Sequence, residues 1–370
     1  MPHLVAIDLP GGDAFVDALR RAWDAGDAVL PIDRRLPPAA RAALLDAMAP
    51  SRIVDAHGEH TLPGRPVEPG DALVMATSGS TGNPKGVVLT HDAVAASAHA
   101  TAARLGTTAA DTWLACLPLA HVGGLSVITR ALITGATLVV HDGFDADAVT
   151  AAAHAGATAV SLVPTALRRI DPALFRVIVL GGARPPADRP ANCVATYGLT
   201  ETGSGVVYDG VPLDGVEVRI DHEGQILLRG PMLLRCYRDG STPLDDEGWL
   251  HTGDLGHWLP DGRLHVEGRR GDLVITGGEN VWPETVDAVL TTHPAIADAA
   301  VAGVADNEWG QRLVAWVVPT DPLHPPTLAE VRAHVAAQLP VFCAPKEVRV
   351  ATAIPRTALG KVQRHRLAGP

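Results

Sequence analysis

Residues 75–91 read MATSGSTGNPKGVVLTH and combine an apolar lead-in, a loop of Ser, Thr and Gly, and a second apolar run that follows Lys85. Glycines let a backbone turn and approach a ligand closely, and hydroxyls beside exposed N–H groups suit a phosphate chain. Turn composition alone explains neither the hydroxyl density nor the embedded lysine. The residues that we expect to contact phosphate are Thr77, Ser78, Gly79, Ser80, Thr81, Gly82 and Lys85.

The spacing of this loop excludes the commonest phosphate loop, which has Gly, four residues, and then Gly-Lys-Ser/Thr. Counted from Gly79, Pro84 stands where the second glycine belongs and Gly86 where the Ser or Thr belongs. The order of Ser/Thr, Gly and Pro-Lys-Gly instead resembles the signature loop of the adenylate-forming superfamily, the acyl-CoA synthetases and adenylation domains.

The composition indicates a folded chain of more than one domain, because single cores stop growing at roughly 250–300 residues and this chain has 370. The net charge is −11, and no run of basic residues exceeds two, which argues against nucleic acid as a partner. No apolar run approaches the ~18 residues of a membrane span, so no membrane association is expected. Four scattered cysteines and an N-terminus without signal-peptide features favour a cytoplasmic location.

In the first seventy residues, the sequence predicts a helix over residues 13–24, a second helix near residues 38–48, a strand at residues 52–55 and a connector rich in Pro and Gly over residues 58–70. The middle of the chain alternates between strand-like and helix-like segments. Between residues 113 and 180 short apolar runs predict strands, and the Ala-rich stretches between them predict helices. This alternation predicts an α/β fold with mostly parallel, helix-covered sheets. Past residue 205 short antiparallel-looking pieces predict a small β subdomain. We expect a large N-terminal domain over residues 1–268 and a smaller, mobile α+β domain over residues 269–370.

A second candidate site, TYGLTE at residues 196–201, follows a strand-like segment. It offers a ring that can stack on a base, a hydroxyl, and a carboxylate that can hold Mg²⁺ through oxygen. A buried tyrosine beside an ordinary helix cap would look similar in isolation. In the superfamily the matching residues contact adenine, the α-phosphate region and the metal. The resemblance therefore assigns Tyr197 and Gly198 to the nucleotide, Thr200 to the α-phosphate and Glu201 to Mg²⁺.

The third motif, WLHTGD at residues 249–254, ends on an acid after a glycine turn. A carboxylate so placed can accept both hydroxyls of a ribose, whereas a solvated turn is the alternative. In the superfamily this aspartate is the ribose ligand and an arginine some fifteen residues later assists it. The resemblance assigns these roles to Asp254 and Arg269.

The fourth motif, GGENVWP at residues 277–283, is a glycine turn that leads into a helix with Pro at its start. The resemblance implies that Gly277, Gly278 and Glu279 line the pantetheine tunnel during thioester formation. The superfamily usually has Asp or Lys two residues after the motif arginine, and this chain has Gly271. A specific hinge interaction is therefore in doubt, although glycine leaves rotation free.

The fifth motif, PRTALGKVQR at residues 355–364, matches the superfamily consensus PRTxxGKxxR at every fixed position. Without that resemblance, a basic tail is usually a solvated chain end. In the superfamily the lysine of this motif reaches the carboxylate and the α-phosphate. The resemblance therefore makes Lys361 the catalytic lysine of adenylate formation.

The segment PLAHVGGL at residues 118–125 matches the pocket-lining segment of the superfamily. As bare sequence, a core histidine would be the usual interpretation of His121. A second small-residue segment follows a strand and suits a flat aryl group. The residues expected to line the acyl pocket are His121, Gly123, Gly181, Gly182 and Ala183.

Together with residues 203–215, these segments resemble the o-succinylbenzoate:CoA ligases of menaquinone biosynthesis, a family with compact members. The resemblance implies an ATP-dependent acid–thiol ligase that uses Mg²⁺ and coenzyme A and converts o-succinylbenzoate to its CoA thioester. It leaves open another aryl or short acyl acid, a carrier-protein thiol as acceptor, and a binding-only AMP sensor. The first motif begins at Thr77, earlier than in full-length relatives, which leaves pocket completeness and a homodimer open.

Overall fold

The computed structural model describes residues 1–78, 84–186, 188–357, 360 and 362–367. The fold separates into two compact units. Unit 1 comprises Met1–Arg219, Leu227–His251 and Leu259–Leu264, and unit 2 comprises Ile220–Ile226, Thr252–Trp258 and His265–Pro370. Division of the chain between residues 268 and 269 stays a prediction. In the described part of the chain, no helix is both long and apolar enough to cross a membrane.

The described residues form the helices α1 (Asp13–Asp24), α2 (Pro38–Met48), α3 (His91–Leu105), α4 (Val122–Thr134), α5 (Ala146–His154), α6 (Pro164–Leu167), α7 (Pro283–Leu290) and α8 (Leu328–Ala336). Local chemistry fixes the ends of α3. The hydroxyl of Thr90 accepts the backbone N–H of Ala93 at 3.1 Å, and Gly106 ends the helix in the left-handed conformation, with φ of 60°.

The strands of the first half of the chain are β1 (Leu4–Ile7), β2 (Ala28–Pro31), β3 (Arg52–Asp55), β4 (Gly58–Thr61), β5 (Asp71–Ser78), β6 (Pro84–Thr90), β7 (Thr112–Ala115), β8 (Thr137–Val140), β9 (Ala159–Leu162) and β10 (Val177–Leu180). The later strands are β11 (Cys193–Leu199), β12 (Ser204–Tyr208), β13 (Val211–Pro212), β14 (Glu217–Ile220), β15 (Gln225–Arg229), β16 (Cys236–Tyr237), β17 (Leu250–Trp258), β18 (Leu264–Arg269), β19 (Val274–Thr276), β20 (Glu279–Val281), β21 (Ile296–Asp306), β22 (Gly310–Pro319) and β23 (Glu347–Val350).

Two seven-stranded sheets dominate unit 1. The first has the order β16-β6-β5-β2-β1-β3-β4, with β5, β2, β1 and β3 parallel. The second has the order β13-β12-β11-β10-β9-β7-β8, parallel from β11 to β8. Strands β1 and β2 are buried along their whole length, as parallel strands covered on both faces are, and Leu44 and Met48 of α2 pack on the first sheet.

The sheet of unit 2 has the order β20-β19-β22-β21, and β23 adds to β22 in parallel. Helices α7 and α8 contribute Val286, Leu290, Val331 and Val335 to the core that this sheet forms. A further four-stranded sheet has the order β14-β15-β17-β18.

The predicted mixed α/β class, with helix-covered and largely parallel sheets and a smaller α+β part, is confirmed. Three local expectations were wrong. Residues 58–70 were expected to form only a connector, yet β4 pairs there with β3. Tyr197 lies inside β11 rather than after it, and Asp254 lies inside β17 rather than at the end of a turn. In each case neighbouring strands extend the pairing beyond the apolar run visible in the sequence.

Candidate functional site

The first motif forms an antiparallel hairpin of β5 and β6. Thr77 stands opposite Lys85, and the Thr77 hydroxyl lies 3.4 Å from the Lys85 carbonyl oxygen, to which it donates. Gly86 is required by packing, because a Cβ there would lie 2.5 Å from the sulfur of Met48. Among the predicted phosphate contacts, Gly79, Ser80, Thr81 and Gly82 lie outside the described residues, as does the side chain of Ser78.

A tyrosine that the sequence analysis missed joins the first two motifs. Tyr237 lies on the short strand β16, which pairs with β6. Its hydroxyl donates to Oε1 of Glu201 at 2.9 Å, and Nζ of Lys85 lies 4.8 Å from the centroid of its ring. The side chain of Tyr237 thus contacts a cation through its ring and a carboxylate through its hydroxyl. No pattern around Tyr237 in the sequence could have indicated this role.

Glu201 fits the expected contact with Mg²⁺. It lies in the short 3₁₀ turn Thr200–Thr202 that follows β11, and its carbonyl accepts the N–H of Leu234 at 2.8 Å. The bond from Tyr237 occupies Oε1 and orients the carboxylate, which leaves Oε2 for a cation. Within the described residues, no three His, Cys, Asp or Glu form a metal cluster. A single carboxylate nevertheless suffices, since Mg²⁺ usually combines one or two carboxylates with phosphates and waters.

The structure brings the adenine motif and one acyl segment together. Strands β10 and β11 are parallel neighbours, so residues 181–183 and residues 196–198 follow the same edge of the sheet. The hydroxyl of Thr196 donates to the carbonyl of Leu180 at 3.0 Å, and a Cβ at Gly181 would lie 3.2 Å from that hydroxyl. Gly182 has φ of 81°, and Ala183 is exposed.

The β-bulge in β11 explains the glycine of the TYG sequence. The register between β11 and β12 shifts between Tyr197 and Gly198, and a Cβ at Gly198 would lie 2.3 Å from the carbonyl oxygen of Ser204. Bulges commonly redirect a side chain beside a site. The close approach of the two strands thus requires glycine next to the tyrosine that we assign to adenine.

His121 lies directly before α4, and its side chain is partly buried. Its Nε2 has no hydrogen-bond partner among the described residues and lies 3.8 Å from Oδ2 of Asp33. Burial lowers the pKa of His121, and the nearby Asp33 carboxylate opposes that shift. Packing demands the neighbouring Gly124, because a Cβ there would lie 2.5 Å from the carbonyl oxygen of Pro118. The assignment of Gly123 to the acyl pocket stays a prediction.

Arg130 on α4 is a second residue that the sequence analysis missed. It is only 2% exposed, and Nε and Nη1 have no hydrogen-bond partner among the described residues. Its guanidinium carbon lies 4.7 Å from the ring centroid of Trp113, and burial lowers its pKa. A cavity of about 10 Å³, room for one water, lies between Arg130, Thr129 and Ser97. The signal in the sequence was an arginine inside the apolar run LSVITRALI.

In unit 2 the structure brings Asp254 and Arg269 together. Nε of Arg269 lies 4.0 Å from Oδ1 of Asp254, which is 8% exposed. The hydroxyl of Thr252 accepts the N–H of Asp254 at 3.0 Å and donates to the carbonyl of Ile226 at 2.7 Å. Gly253 has φ of 72°. This backbone geometry holds the carboxylate within reach of the arginine.

The predicted tunnel residues form a tight hairpin between β19 and β20. Thr276 and Glu279 are paired, and the two intervening glycines, Gly277 and Gly278, have φ of 60° and 85°. Positive φ at both positions is the requirement of a type I′ turn. The N–H of Gly277 donates to the carbonyl of Trp309 at 2.9 Å. At Gly271, a Cβ would meet nothing within 4 Å, so a side chain would fit there.

The predicted catalytic lysine, Lys361, lies outside the described residues, whereas its neighbours Gly360 and Val362 are described. Val362 forms an antiparallel bridge with Arg356.

Two regions of the chain match the AMP-binding enzyme family. The family of AMP-binding enzymes matches residues 56–238, and the C-terminal domain of AMP-binding enzymes matches residues 285–361.

Individual proteins and solved structures are similar over most of the chain. A protein of Mycobacterium tuberculosis named probable 2-succinylbenzoate–CoA ligase is 42% identical over 81% of this chain and 85% of its own length. The solved structure of o-succinylbenzoate CoA synthetase from Bacillus subtilis with the acyl-adenylate OSB-AMP has a TM-score of 0.88 and 29% identity, and covers 100% of this chain and 88% of that one. The same enzyme with ATP and magnesium ion has a TM-score of 0.86 and 29% identity, with 99% and 89% covered.

Proposed function

Because the chain belongs to the family of AMP-binding enzymes, we propose that it is an ATP-dependent acid:CoA ligase that converts o-succinylbenzoate to o-succinylbenzoyl-CoA through an acyl-adenylate. The observation that carries this proposal is the 42% identity, over 81% of the chain, to a protein named as such a ligase. Membership of the adenylate-forming superfamily, as predicted from the motifs, is confirmed. A cytoplasmic location and a homodimer remain part of the proposal.

In the first half-reaction a carboxylate oxygen attacks the α-phosphorus of ATP, and pyrophosphate leaves. The difficulty is to bring one anion onto another, which requires positioning and cations aimed at the developing charge. We assign the binding of the phosphates to residues 77–82 and Lys85, contact with the α-phosphate to Thr200, and stabilisation of the transferring group to Lys361. Mg²⁺, when bound at Glu201, supplies positive charge to the phosphates.

Two pairs of residues are assigned to the nucleoside. Tyr197 and Gly198 lie at the β-bulge of β11, which supports their assignment to adenine. In unit 2, Asp254 and Arg269 are within 4.0 Å of each other, which supports a joint hold on the ribose hydroxyls. In the second half-reaction the thiol of CoA attacks the acyl carbon and AMP leaves, and we assign the approach of the thiol to Gly277, Gly278 and Glu279.

The acyl pocket is assigned to His121, Gly123 and residues 181–183. Arg130 supports a substrate with two carboxylates. Only one carboxylate of o-succinylbenzoate is activated, and the other keeps the negative charge that a buried arginine could pair with. A buried guanidinium with two nitrogens that lack a partner among the described residues is costly unless it meets an anion. The cavity beside Arg130 has room for one water, so we assign this contact to a carboxylate of the acid that bonds through a bridging water.

The test is pyrophosphate release with a panel of aryl and short acyl acids that includes o-succinylbenzoate, with the thioester identified by mass. We expect release with o-succinylbenzoate and formation of its CoA thioester. Turnover of a fatty or benzoic acid without turnover of o-succinylbenzoate would refute the substrate assignment. Replacing CoA by a carrier protein tests the other acceptor, and no release with any acid would favour an AMP sensor.

Lys361→Ala provides the mechanistic control for this test. We expect the variant to lose adenylation about 100-fold or more, as removal of one transition-state charge does. Thioester formation from supplied o-succinylbenzoyl-adenylate and CoA should persist, because no phosphorus is attacked in that step. Equal losses in both half-reactions would contradict the role of Lys361.

A further inference from the structure

The last arginine of the fifth motif, Arg364, has no part in the proposed chemistry, yet its side chain has little exposed surface and bonds two elements of unit 2. Its side chain is 10% exposed, and Nη2 donates to Oδ2 of Asp287 at 2.7 Å. Its Nη1 donates to the carbonyl of Val301 at 2.6 Å, and the N–H of Val301 donates to Oδ1 of Asp287 at 2.6 Å. These three bonds tie α7, β21 and the C-terminal segment together.

The other side of the motif is tied to the same strand. Nη2 of Arg356 donates to Oδ1 of Asp298 on β21 at 2.6 Å, and Nη1 donates to the carbonyl of Gly360 at 2.8 Å. Arg356 and Val362 form the antiparallel bridge, and the N–H of Gln363 donates to the carbonyl of Pro355 at 2.8 Å. Arg356 and Arg364, which precede and follow Lys361 in the sequence, are thus both bonded to residues of β21.

We propose that Asp287 and Arg364 are positioning residues for adenylation, which act by fixing the backbone next to Lys361. The inference rests on the proposed function, in which Lys361 acts on the α-phosphate. A lysine carries its charge on a flexible four-carbon stem, so its placement depends on how firmly its backbone is held. Small misplacements of a catalytic group lower the rate steeply. Thioester formation does not use Lys361 and should not depend on this pair.

The ionisation of Asp287 gives the proposal a second, independent readout. Burial raises the pKa of Asp287 to about 6, although the facing Arg364 and the N–H of Val301 lower it. Glu284, one turn earlier on α7, adds a small repulsion in the raising direction. Below that pH the carboxyl becomes protonated and the ion pair with Arg364 is lost. Adenylation should therefore fall on the acid side of about pH 6, while thioester formation should not follow that limb.

The experiment measures both half-reactions in the full chain: pyrophosphate release with o-succinylbenzoate, and thioester formation from supplied adenylate and CoA. For Asp287→Asn we expect about a tenfold loss of adenylation, thioester formation close to wild type, and no acid limb near pH 6. The matched control is Glu347→Gln. Oε2 of Glu347 lies 2.9 Å from Nη2 of Arg312, so this variant removes the charge of another ion pair of unit 2, outside the motif. It should leave both half-reactions unchanged.

A second variant keeps the test decisive if Asp287→Asn does not fold. Arg364→Lys retains a charge opposite Asp287 but cannot bond Asp287 and Val301 in the same two-pronged way, so a smaller, selective loss of adenylation is expected. Wild-type adenylation in both variants, or proportional losses of both half-reactions, would overturn the proposal. If either of these results is found while the wild type works and Lys361→Ala loses adenylation selectively, the positioning role is refuted and the proposed function stands. If the wild type releases no pyrophosphate, both proposals fail.

Discussion

Arg130 on α4 and Arg364 in the C-terminal segment both have little exposed surface, but the described residues give them different hydrogen-bond partners. Arg364 has a carboxylate and a carbonyl as partners. Arg130 has two nitrogens without a partner in the described structure and faces the ring of Trp113. A buried charge is tolerated when it is paired and is expensive when it is not. Arg364 is thus bonded within unit 2, whereas the proposed function gives Arg130 an anion as its partner.

The largest effect is expected from Arg130→Met, which tests whether Arg130 binds an anion. The variant keeps a long apolar side chain and removes the charge. We expect kcat/KM for o-succinylbenzoate to fall about 100-fold, since a charge-assisted contact to a carboxylate contributes roughly 1.5–3 kcal/mol. The free energy of unfolding should stay the same or rise, because an unpaired buried charge disappears. Steady-state kinetics and urea titration measure the two quantities.

The matched control for Arg130→Met is an analogue in which the carboxylate that is not activated is replaced by hydrogen. Its turnover should be the same in wild type and variant, and so should the KM for ATP. A variant that loses stability while keeping its preference for o-succinylbenzoate would show that Arg130 is a structural residue.

The contact between Tyr237 and Glu201 gives the next largest expected effect. Tyr237→Phe removes the bond to Oε1 but keeps the ring beside Lys85. A hydrogen bond to a charged group contributes roughly 1.5–3 kcal/mol, so we expect adenylation to fall about tenfold and half-saturation to need more Mg²⁺. Pyrophosphate release measured against Mg²⁺ concentration checks this. Tyr208→Phe, at a buried tyrosine that contacts Thr101, is the control and should leave the Mg²⁺ dependence unchanged.

Helices and strands could be predicted where apolar residues recur at the spacing of a helix or a strand. Helices α1 and α2 and strand β3 begin and end where the apolar spacing places them. Strands β1 and β2 could not be found in this way, because four-residue runs that are buried on both faces show no alternation. The position of Asp254 inside β17 could not be predicted for a related reason. In the sequence Thr252 and Gly253 are typical of a turn, and only their contacts in the fold make them part of a strand.

The site residues divide in the same way. Tyr197, Glu201 and Asp254 lie in local runs whose chemistry can be read directly, and their assignments came from those runs. Tyr237 reaches Glu201 across 36 positions, and Asp33 lies 3.8 Å from His121 although the two residues are far apart in sequence. Such partners depend on which strands pair, and one sequence does not specify that. Arg130 was visible as a charge in an apolar run, but only its burial distinguishes it from a surface arginine.

The smallest expected effect tests the paired side of the comparison, through the pH dependence of stability. The pKa of Asp287 is raised from 3.8 to about 6 in the folded chain. The folded chain therefore favours the protonated carboxyl of Asp287. The stabilisation from this form is complete below about pH 4 and is lost as the pH rises through about 6. Between pH 5 and 7.5 we expect the free energy of unfolding of the wild type to fall by about 1 kcal/mol relative to Asp287→Asn, measured by urea titration at both pH values. A change of the opposite sign would mean that the attraction of Arg364 outweighs burial. The pair would then stabilise the fold itself, and the contrast with Arg130 would become larger.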